Sequence, residues 1–336
     1  MSEYRFNTVT SLRVGPGISR KIGAVCAELA IKRPLIVTDP GLMATGLVGP
    51  LQESTRAICE SVSLYTEITA DPSESVVLAA LEQLQAEQCD GVLGLGGGSS
   101  MDVAKAIAVL ANGTQVLPEL YGVDKVTGGR LPLVLIPTTA GTGSEVTPVA
   151  VITTGETTKA GISAAALLPD VAILDAELTV GLPPHVTAMT GIDAMVHAIE
   201  AYTSKIKKNP ISDMLSRQAL KLLAGNQRRV LSHPTDLQAR EAMLLGATLA
   251  GQAFANAPVA AVHALAYPLG GHYHMPHGLS NALMLPSVLR FNAVASEAQY
   301  LELATLLRKP RTEGLPGFVA WCEQWIDDAG LLGTLE

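Results

Sequence analysis

No block of lysine or arginine stands out in this chain: 23 Lys+Arg are scattered among 31 Asp+Glu, for a net charge of -8. Phosphate backbones and anionic lipid surfaces require a clustered basic footprint, so neither nucleic acid nor a membrane surface is an expected partner. Charged residues make up only 16% and hydrophobic residues 48%, which leaves no composition for a long disordered segment. No apolar run is both long and uninterrupted enough to span a bilayer. The opening MSEYRFNTVTS carries charges where a secretion signal needs an apolar stretch. A cytoplasmic protein is expected. Cys26, Cys59, Cys89 and Cys322 lack any C-x-x-C spacing, which sets aside zinc ribbons and redox motifs in favour of buried free thiols in a reducing compartment. Internal repeats and low-complexity tracts are also missing.

What is present is length and a change of pattern. A chain of 336 residues exceeds the size at which one core stops growing, so two domains are expected. From Arg33 to about Asp175, short β-branched runs alternate with helical patterns, the signature of βαβ units around a parallel sheet. Strands are expected at Pro34 to Thr38, Val62 to Tyr65, Gly91 to Leu95, Leu133 to Ile136, Val149 to Thr153 and Val171 to Leu174. Ile22, Val25, Cys26 and Leu29, and again Val103, Ile107 and Leu110, give helices an apolar stripe to lay on that sheet. After Gly181-Leu182-Pro183-Pro184 the strand-like runs cease, and helical periodicity covers Val186 to Ser204, Ile211 to Leu223 and Leu237 to Ala255. The proline pair is a plausible junction. The reading is an α/β N-terminal dinucleotide-binding domain over 1–182 and an all-α C-terminal domain over 183–336.

The strand ending at Leu95 runs through Gly96, Gly97, Gly98 and Ser99 into a helix. Glycines permit close approach of a ligand to the backbone, and the following helix N-terminus offers free N–H groups to a pyrophosphate. A glycine turn alone is weak evidence, since strand-to-helix turns often contain one. A second loop, Pro137-Thr138-Thr139-Ala140-Gly141-Thr142-Gly143-Ser144-Glu145, also follows a strand. Its hydroxyls and glycines would line the same sheet edge, where open α/β folds bind ligands. Asp39, after the strand Pro34 to Thr38, would accept adenosine ribose hydroxyls and repel a 2′-phosphate, favouring NAD over NADP. It equally suits a turn before Pro40-Gly41.

In the second half, Asp193 and His197 stand i, i+4 on an otherwise apolar helix pattern (Ile192, Met195, Val196, Ile199), so they share one face. A carboxylate there needs a counter-charge. His263, His272, His274 and His277 all fall within Ala242 to Leu289, a stretch without Asp, Glu, Lys or Arg. Imidazoles are the strong ligands it offers. An aspartate with imidazoles suits Zn²⁺ or Fe²⁺ better than Mg²⁺ or Ca²⁺, and residue chemistry alone leaves zinc and iron both open.

These residues lie in GGGSSMDVAK (Gly96 to Lys105), PTTAGTGSEVTP (Pro137 to Pro148), LLPDVAILDAELTVGLPP (Leu167 to Pro184), GIDAMVHAIEAY (Gly191 to Tyr202) and MPHGLSNALMLP (Met275 to Pro286). Together the motifs resemble those of the iron-containing (group III) alcohol dehydrogenases, over about Arg5 to Asn292. The resemblance implies a dehydroquinate synthase-like architecture, NAD and Fe²⁺ as cofactors, a homodimer, and a small alcohol, aldehyde or ketone as substrate. It assigns Asp193, His197, His263 and His277 as metal ligands. Gly97, Gly98 and Ser99 correspond to its pyrophosphate loop, and Thr138, Thr139 and Thr142 to its nucleotide contacts. Lys159 matches a lysine near the cofactor ribose, a position that the sequence alone reads as a solvated charge, and Asp39 matches the acid associated with NAD preference. The chain departs from the family at Tyr267, where many members have a histidine proposed to relay protons; Tyr267, His272 or His274 would have to serve instead. It also stops soon after Phe318 to Trp325, where relatives continue, so an altered tail is expected. Three other readings remain: a dehydroquinate synthase-type lyase, a maleylacetate reductase, and an inactive binding protein. The lyase calls for several basic residues, of which the ligand-bearing segments contain few, and the reductase is expected to lack some metal ligands that are all present here.

Overall fold

The computed structural model describes residues 3–155, 158–273, 275–307 and 314–331. In chain order the α/β elements are β1 (Ser11–Val14), α1 (Ile22–Glu28), β2 (Pro34–Val37), α2 (Pro40–Ala44), α3 (Val48–Arg56), β3 (Ser63–Tyr65), α4 (Glu74–Ala86), β4 (Gly91–Gly96), α5 (Gly98–Asn112), α6 (Leu117–Leu120), β5 (Gly122–Val123), β6 (Leu133–Pro137), β7 (Val149–Thr154), β8 (Thr158–Ser163) and β9 (Val171–Leu174). Among the described residues helices alone follow: α7 (Pro184–Thr203), α8 (Pro210–Ser232), α9 (Leu237–Asn256), α10 (Ala261–Tyr273), α11 (His277–Leu306) and α12 (Gly314–Asp328). The chain divides into two compact units. One comprises Thr8–Thr139 and Ser144–Gly181, the other Met1–Asn7, Ala140–Gly143 and Leu182–Glu336.

The first unit holds a six-stranded parallel sheet in the order β1-β9-β6-β4-β2-β3. Its central strands are buried on both faces, which is why they read as unbroken apolar runs. Successive residues alternate between two cores. Leu35, Val37, Val92, Leu133 and Leu135 join one cluster with Val103 and Ile107 of α5. Ile36, Leu93, Leu95, Val134 and Ile136 join another with Ile22, Val25 and Cys26 of α1. Each fully buried aliphatic side chain is worth roughly 1.5–3 kcal/mol relative to exposure. The sheet is therefore fixed from both sides.

Two strand features depart from the expectation. The run at β7 does not extend the parallel sheet; it pairs antiparallel with β8 in a separate three-stranded sheet, β5-β8-β7. Composition hid this, but β7 alternates half-buried and buried positions, with Ala150 and Ile152 inward, the pattern of a one-sided antiparallel strand. Strand β1 carries no apolar run, because as an edge strand paired to β9 it buries none of its residues fully.

In the helical unit, α7 starts at Pro184, whose missing N–H and fixed φ suit a first turn. From Gly191 to Tyr202 every residue of α7 is buried, and the helix packs against α8, α9 and α11. Asn209 caps α8 through Ser212 N–H at 2.9 Å, and Asp236 caps α9 through Ala239 N–H at 3.0 Å. Helix α8 continues beyond Leu223 to Ser232 because Gln227 and Val230 keep its inward face buried; Gly225, which costs about 1 kcal/mol in a helix, does not stop it. Helix α12 buries Phe318, Cys322, Trp325 and Ile326. All four cysteines are free, with Cys59 half-buried and the others buried. Among the described residues, no helix is long and apolar enough to cross a membrane.

Candidate functional site

Helix α7 presents Asp193 and His197 one turn apart, α10 supplies His263 in its first turn, and α11 begins with His277. One ligand-type atom from each lies within 4.8 Å of all the others. Asp193 Oδ1 stands 4.0 Å from His197 Nε2, 3.9 Å from His263 Nε2 and 3.7 Å from His277 Nε2. These are too long for hydrogen bonds and suit donors facing a shared ion. Asn281, one turn into α11, donates from Nδ2 to Asp193 Oδ1 at 2.7 Å, with the same nitrogen 3.2 Å from both His263 Nε2 and His277 Nε2.

Burial sets the protonation states. It pushes the His197 imidazole down to about 4, so the ring is neutral near pH 7. For Asp193 burial acts upward, but the imidazoles of His197, His277 and His263 and the Asn281 amide outweigh it and hold the carboxyl below its ordinary value. An ionised carboxylate beside the neutral His197 imidazole is the form that ligates a metal. The His197 ring stacks on Phe254 of α9 at 4.4 Å and on His263 at 4.6 Å. Two polar atoms here are buried without a hydrogen-bond partner, His197 Nδ1 and Asn281 Oδ1. Three imidazoles and one carboxylate converge on one point, with no lysine or arginine among the described residues bonded to Asp193. Such a set fits a divalent transition metal. Tyr267 stacks beside His277 at 6.1 Å, whereas His272 is exposed near the end of α10 and His274 lies outside the described residues.

Sequence reasoning missed Glu200. Its Oε2 accepts from His263 Nδ1 at 2.7 Å and from the backbone N–H of Ala260 at 3.0 Å, while Oε1 accepts from Val262 N–H at 2.7 Å. The signal was present, since Asp193, His197 and Glu200 run i, i+4, i+7 along one face of an apolar helix.

In the α/β unit, β2, β4 and β6 are adjacent and parallel, so Asp39, Gly96 to Ser99, and Thr138 with Thr139 leave the same sheet edge. Gly96 has φ +149, and a Cβ there would lie 2.5 Å from Ser100 Oγ and 3.3 Å from Asp39 Oδ2. Asp39 takes the turn role that its sequence context suggested: Oδ1 caps α2 through Leu42 N–H at 2.9 Å, while Oδ2 lies beside the glycine turn. Thr138 donates its N–H to Gly96 O at 2.9 Å. Helix α5 opens at Gly98 without a side-chain cap, so its first N–H groups are available to an anion.

Two expected residues make contacts of their own. Gly143 belongs to the helical unit, and at φ +61 a Cβ there would meet Gly251 Cα of α9 at 2.6 Å. It is glycine for close packing within the helical unit, to which Thr142 also belongs. Lys159 sits on β8 and pairs with Asp71 at 2.6 Å, so its charge is already engaged. The described structure also reveals Lys105, wholly buried, donating to Ser144 Oγ at 2.7 Å, Thr147 Oγ1 at 3.2 Å and Val149 O at 2.7 Å. Asp102 joins it by accepting from Ser144 Oγ and Val151 N–H. This network ties the glycine-turn helix to the segment after β6.

Comparison with known proteins agrees with both halves. Residues 10–176 match the family model for iron-containing alcohol dehydrogenase, and residues 187–328 match the C-terminal model of the same family. This chain belongs to the iron-containing alcohol dehydrogenase family. Long-chain-alcohol dehydrogenase 1 of Geobacillus thermodenitrificans is 43% identical to it, over 96% of this chain and 83% of the relative. The crystal structure of a 1,3-propanediol oxidoreductase superposes with a TM-score of 0.95 at 36% identity, covering 98% of this chain and 88% of that one. Sulfoacetaldehyde reductase from Bifidobacterium kashiwanohense, solved in complex with NAD⁺, superposes with a TM-score of 0.89 at 28% identity, covering 98% and 87%.

Proposed function

We propose that this chain is an NAD(H)- and iron-dependent dehydrogenase that interconverts a primary or small secondary alcohol with its aldehyde or ketone by hydride transfer. The observation that carries the reading is the convergence of Asp193, His197, His263 and His277 on one point. These four would hold Fe²⁺. Bound there, the ion supplies Lewis acidity, lowering the pKa of an alcohol or polarising a carbonyl. NAD(H) held by the glycine turn would serve as the hydride donor or acceptor.

The chain's own residues have the work of placement. Gly97, Gly98 and Ser99 would bring the first turn of α5 against the pyrophosphate, Thr138, Thr139 and Thr142 would contact the nucleotide, and Asp39 Oδ2 would take the ribose hydroxyls. Lys159 is supported by the resemblance, although its Asp71 ion pair competes with that role. Phe254, stacked on His197, would help shield that imidazole from water. With no protein nucleophile in the cluster, orientation and exclusion of water are what the fold adds.

We also read the chain as a cytoplasmic homodimer. The four free cysteines suit a reducing compartment, and the family resemblance supports the dimer; light scattering on the purified protein tests it. For the activity, protein purified without oxygen is mixed with Fe²⁺, NADH and short and long aldehydes. Loss of NADH absorbance is expected. Cofactor binding with no turnover on any aldehyde would favour an inactive binding protein instead.

A further inference from the structure

The Glu200 carboxylate is spent on two different tasks at once. It accepts the Nδ1–H of His263, and it accepts the N–H groups of Ala260 and Val262 as the chain enters α10. A carboxylate has no proton to give, so His263 must carry its proton on Nδ1 and turn the Nε2 lone pair toward the cluster. The two N–H groups are among those that the start of a helix leaves without internal partners. Glu200 thus fixes where α10 starts, and with it where the His263 ring stands.

We propose that Glu200 is a positioning residue of the metal centre, setting the tautomer and orientation of His263 and thereby the site's affinity for a divalent ion. The inference rests on the reading of Asp193, His197, His263 and His277 as metal ligands. Two observations carry it, together with a general property of metal-bound histidines. Glu200 is 4% exposed, so no water competes for its oxygens. Glu200 belongs to α7, the helix that carries Asp193 and His197, so three of the four donors are registered through one buried element. Finally, an outer carboxylate on a ligating histidine both orients the ring and raises its basicity, and such partners are worth about 10- to 100-fold in metal affinity.

The test uses Co²⁺ as a spectroscopic probe, added anaerobically to chelator-treated protein. Wild type, Glu200→Gln, Tyr202→Phe and His197→Ala are compared. Tyr202 lies on α7, and its hydroxyl donates to Glu302, away from the cluster, so Tyr202→Phe reports generic weakening of the helix. The change Glu200→Gln keeps the side-chain length but sets an NH₂ against one of the N–H donors. This variant is expected to bind Co²⁺ about 10- to 100-fold more weakly, with a changed visible spectrum. Tyr202→Phe is expected to keep both affinity and spectrum. Wild-type affinity and spectrum in Glu200→Gln would overturn the proposal. Wild-type affinity in His197→Ala would instead overturn the metal-site reading itself. Should Glu200→Gln fail to fold, isotope-labelled histidine NMR of the Zn²⁺-loaded wild type decides the matter: an Nδ1–H tautomer at His263 is expected, and an Nε2–H tautomer would refute the assignment.

Discussion

Gly97→Ala separates what the glycine turn does for folding from what it does for the cofactor. Gly97 is the N-cap of α5 at φ -77, a backbone that alanine adopts freely. A Cβ there has Thr139 Cγ2 and Oγ1 as nearest neighbours, both at 3.8 Å, an ordinary contact. Alanine is disfavoured at an N-cap by about 1 kcal/mol against the best residues, and reduced freedom of the unfolded chain returns about 0.4–1 kcal/mol. Stability should therefore change by less than about 1 kcal/mol. The space that the methyl takes is where α5 would receive the pyrophosphate. Overpacking a close contact costs about 1–3 kcal/mol, which corresponds to NAD⁺ binding weakened about 5- to 150-fold. Gly96→Ala is the contrast: its φ of +149 and the 2.5 Å approach to Ser100 Oγ make it lose stability as well, by at least about 1–3 kcal/mol. Urea unfolding and NADH fluorescence titration read the two quantities independently. Wild-type NADH affinity in Gly97→Ala, or a loss of stability equal to that of Gly96→Ala, would refute the reasoning.

Asp39→Ser keeps a capping oxygen for Leu42 N–H while removing the charge, so discrimination against NADP⁺ should relax at least about tenfold; unchanged NAD⁺ preference in steady-state kinetics would count against Asp39. Lys105→Met deletes a buried cation and leaves the Asp102 carboxylate without its counter-charge, costing roughly 3–5 kcal/mol, and a melting temperature within a degree or two of wild type would contradict that. The metal-free protein should weaken on acidification. His197 drops from 6.5 to about 4 on folding, so below pH 6.5 the unfolded chain takes up a proton that the folded one refuses, and stability falls until about pH 4. Over that window the loss is on the order of 3 kcal/mol. The depressed Asp193 and Glu200 carboxyls act in the same direction at the acid end. Urea unfolding of chelator-treated protein at pH 7 and pH 5 checks it, and equal stability at the two values would be the failure.

Much of this was legible in the sequence because it rests on local pattern. Runs such as Leu133 to Ile136 read as buried strands since both faces of the sheet are covered, and Asp193 with His197 read as one face because helical geometry places i and i+4 together. The separate sheet of β7 and β8 was not legible, because pairing partners are chosen by packing that composition does not record. Glu200, Asn281 and Lys105 escaped for a related reason. Each is a polar group inside an apolar helix, and whether such a group is a surface charge or a buried link depends on what the neighbouring helices and loops bring to it. The packing role of Gly143 was hidden because a glycine required by a close helix contact looks identical to one required by a ligand.

The most direct measurement is the metal dependence of NADH oxidation by anaerobically prepared protein, wild type beside His263→Ala, before and after chelation and on return of Fe²⁺. Aldehyde-dependent turnover should vanish with the chelator, return with Fe²⁺ in the wild type, and be lost in His263→Ala together with the bound metal. Turnover that survives chelation, or a His263→Ala variant that keeps both its metal and its activity, would contradict the account.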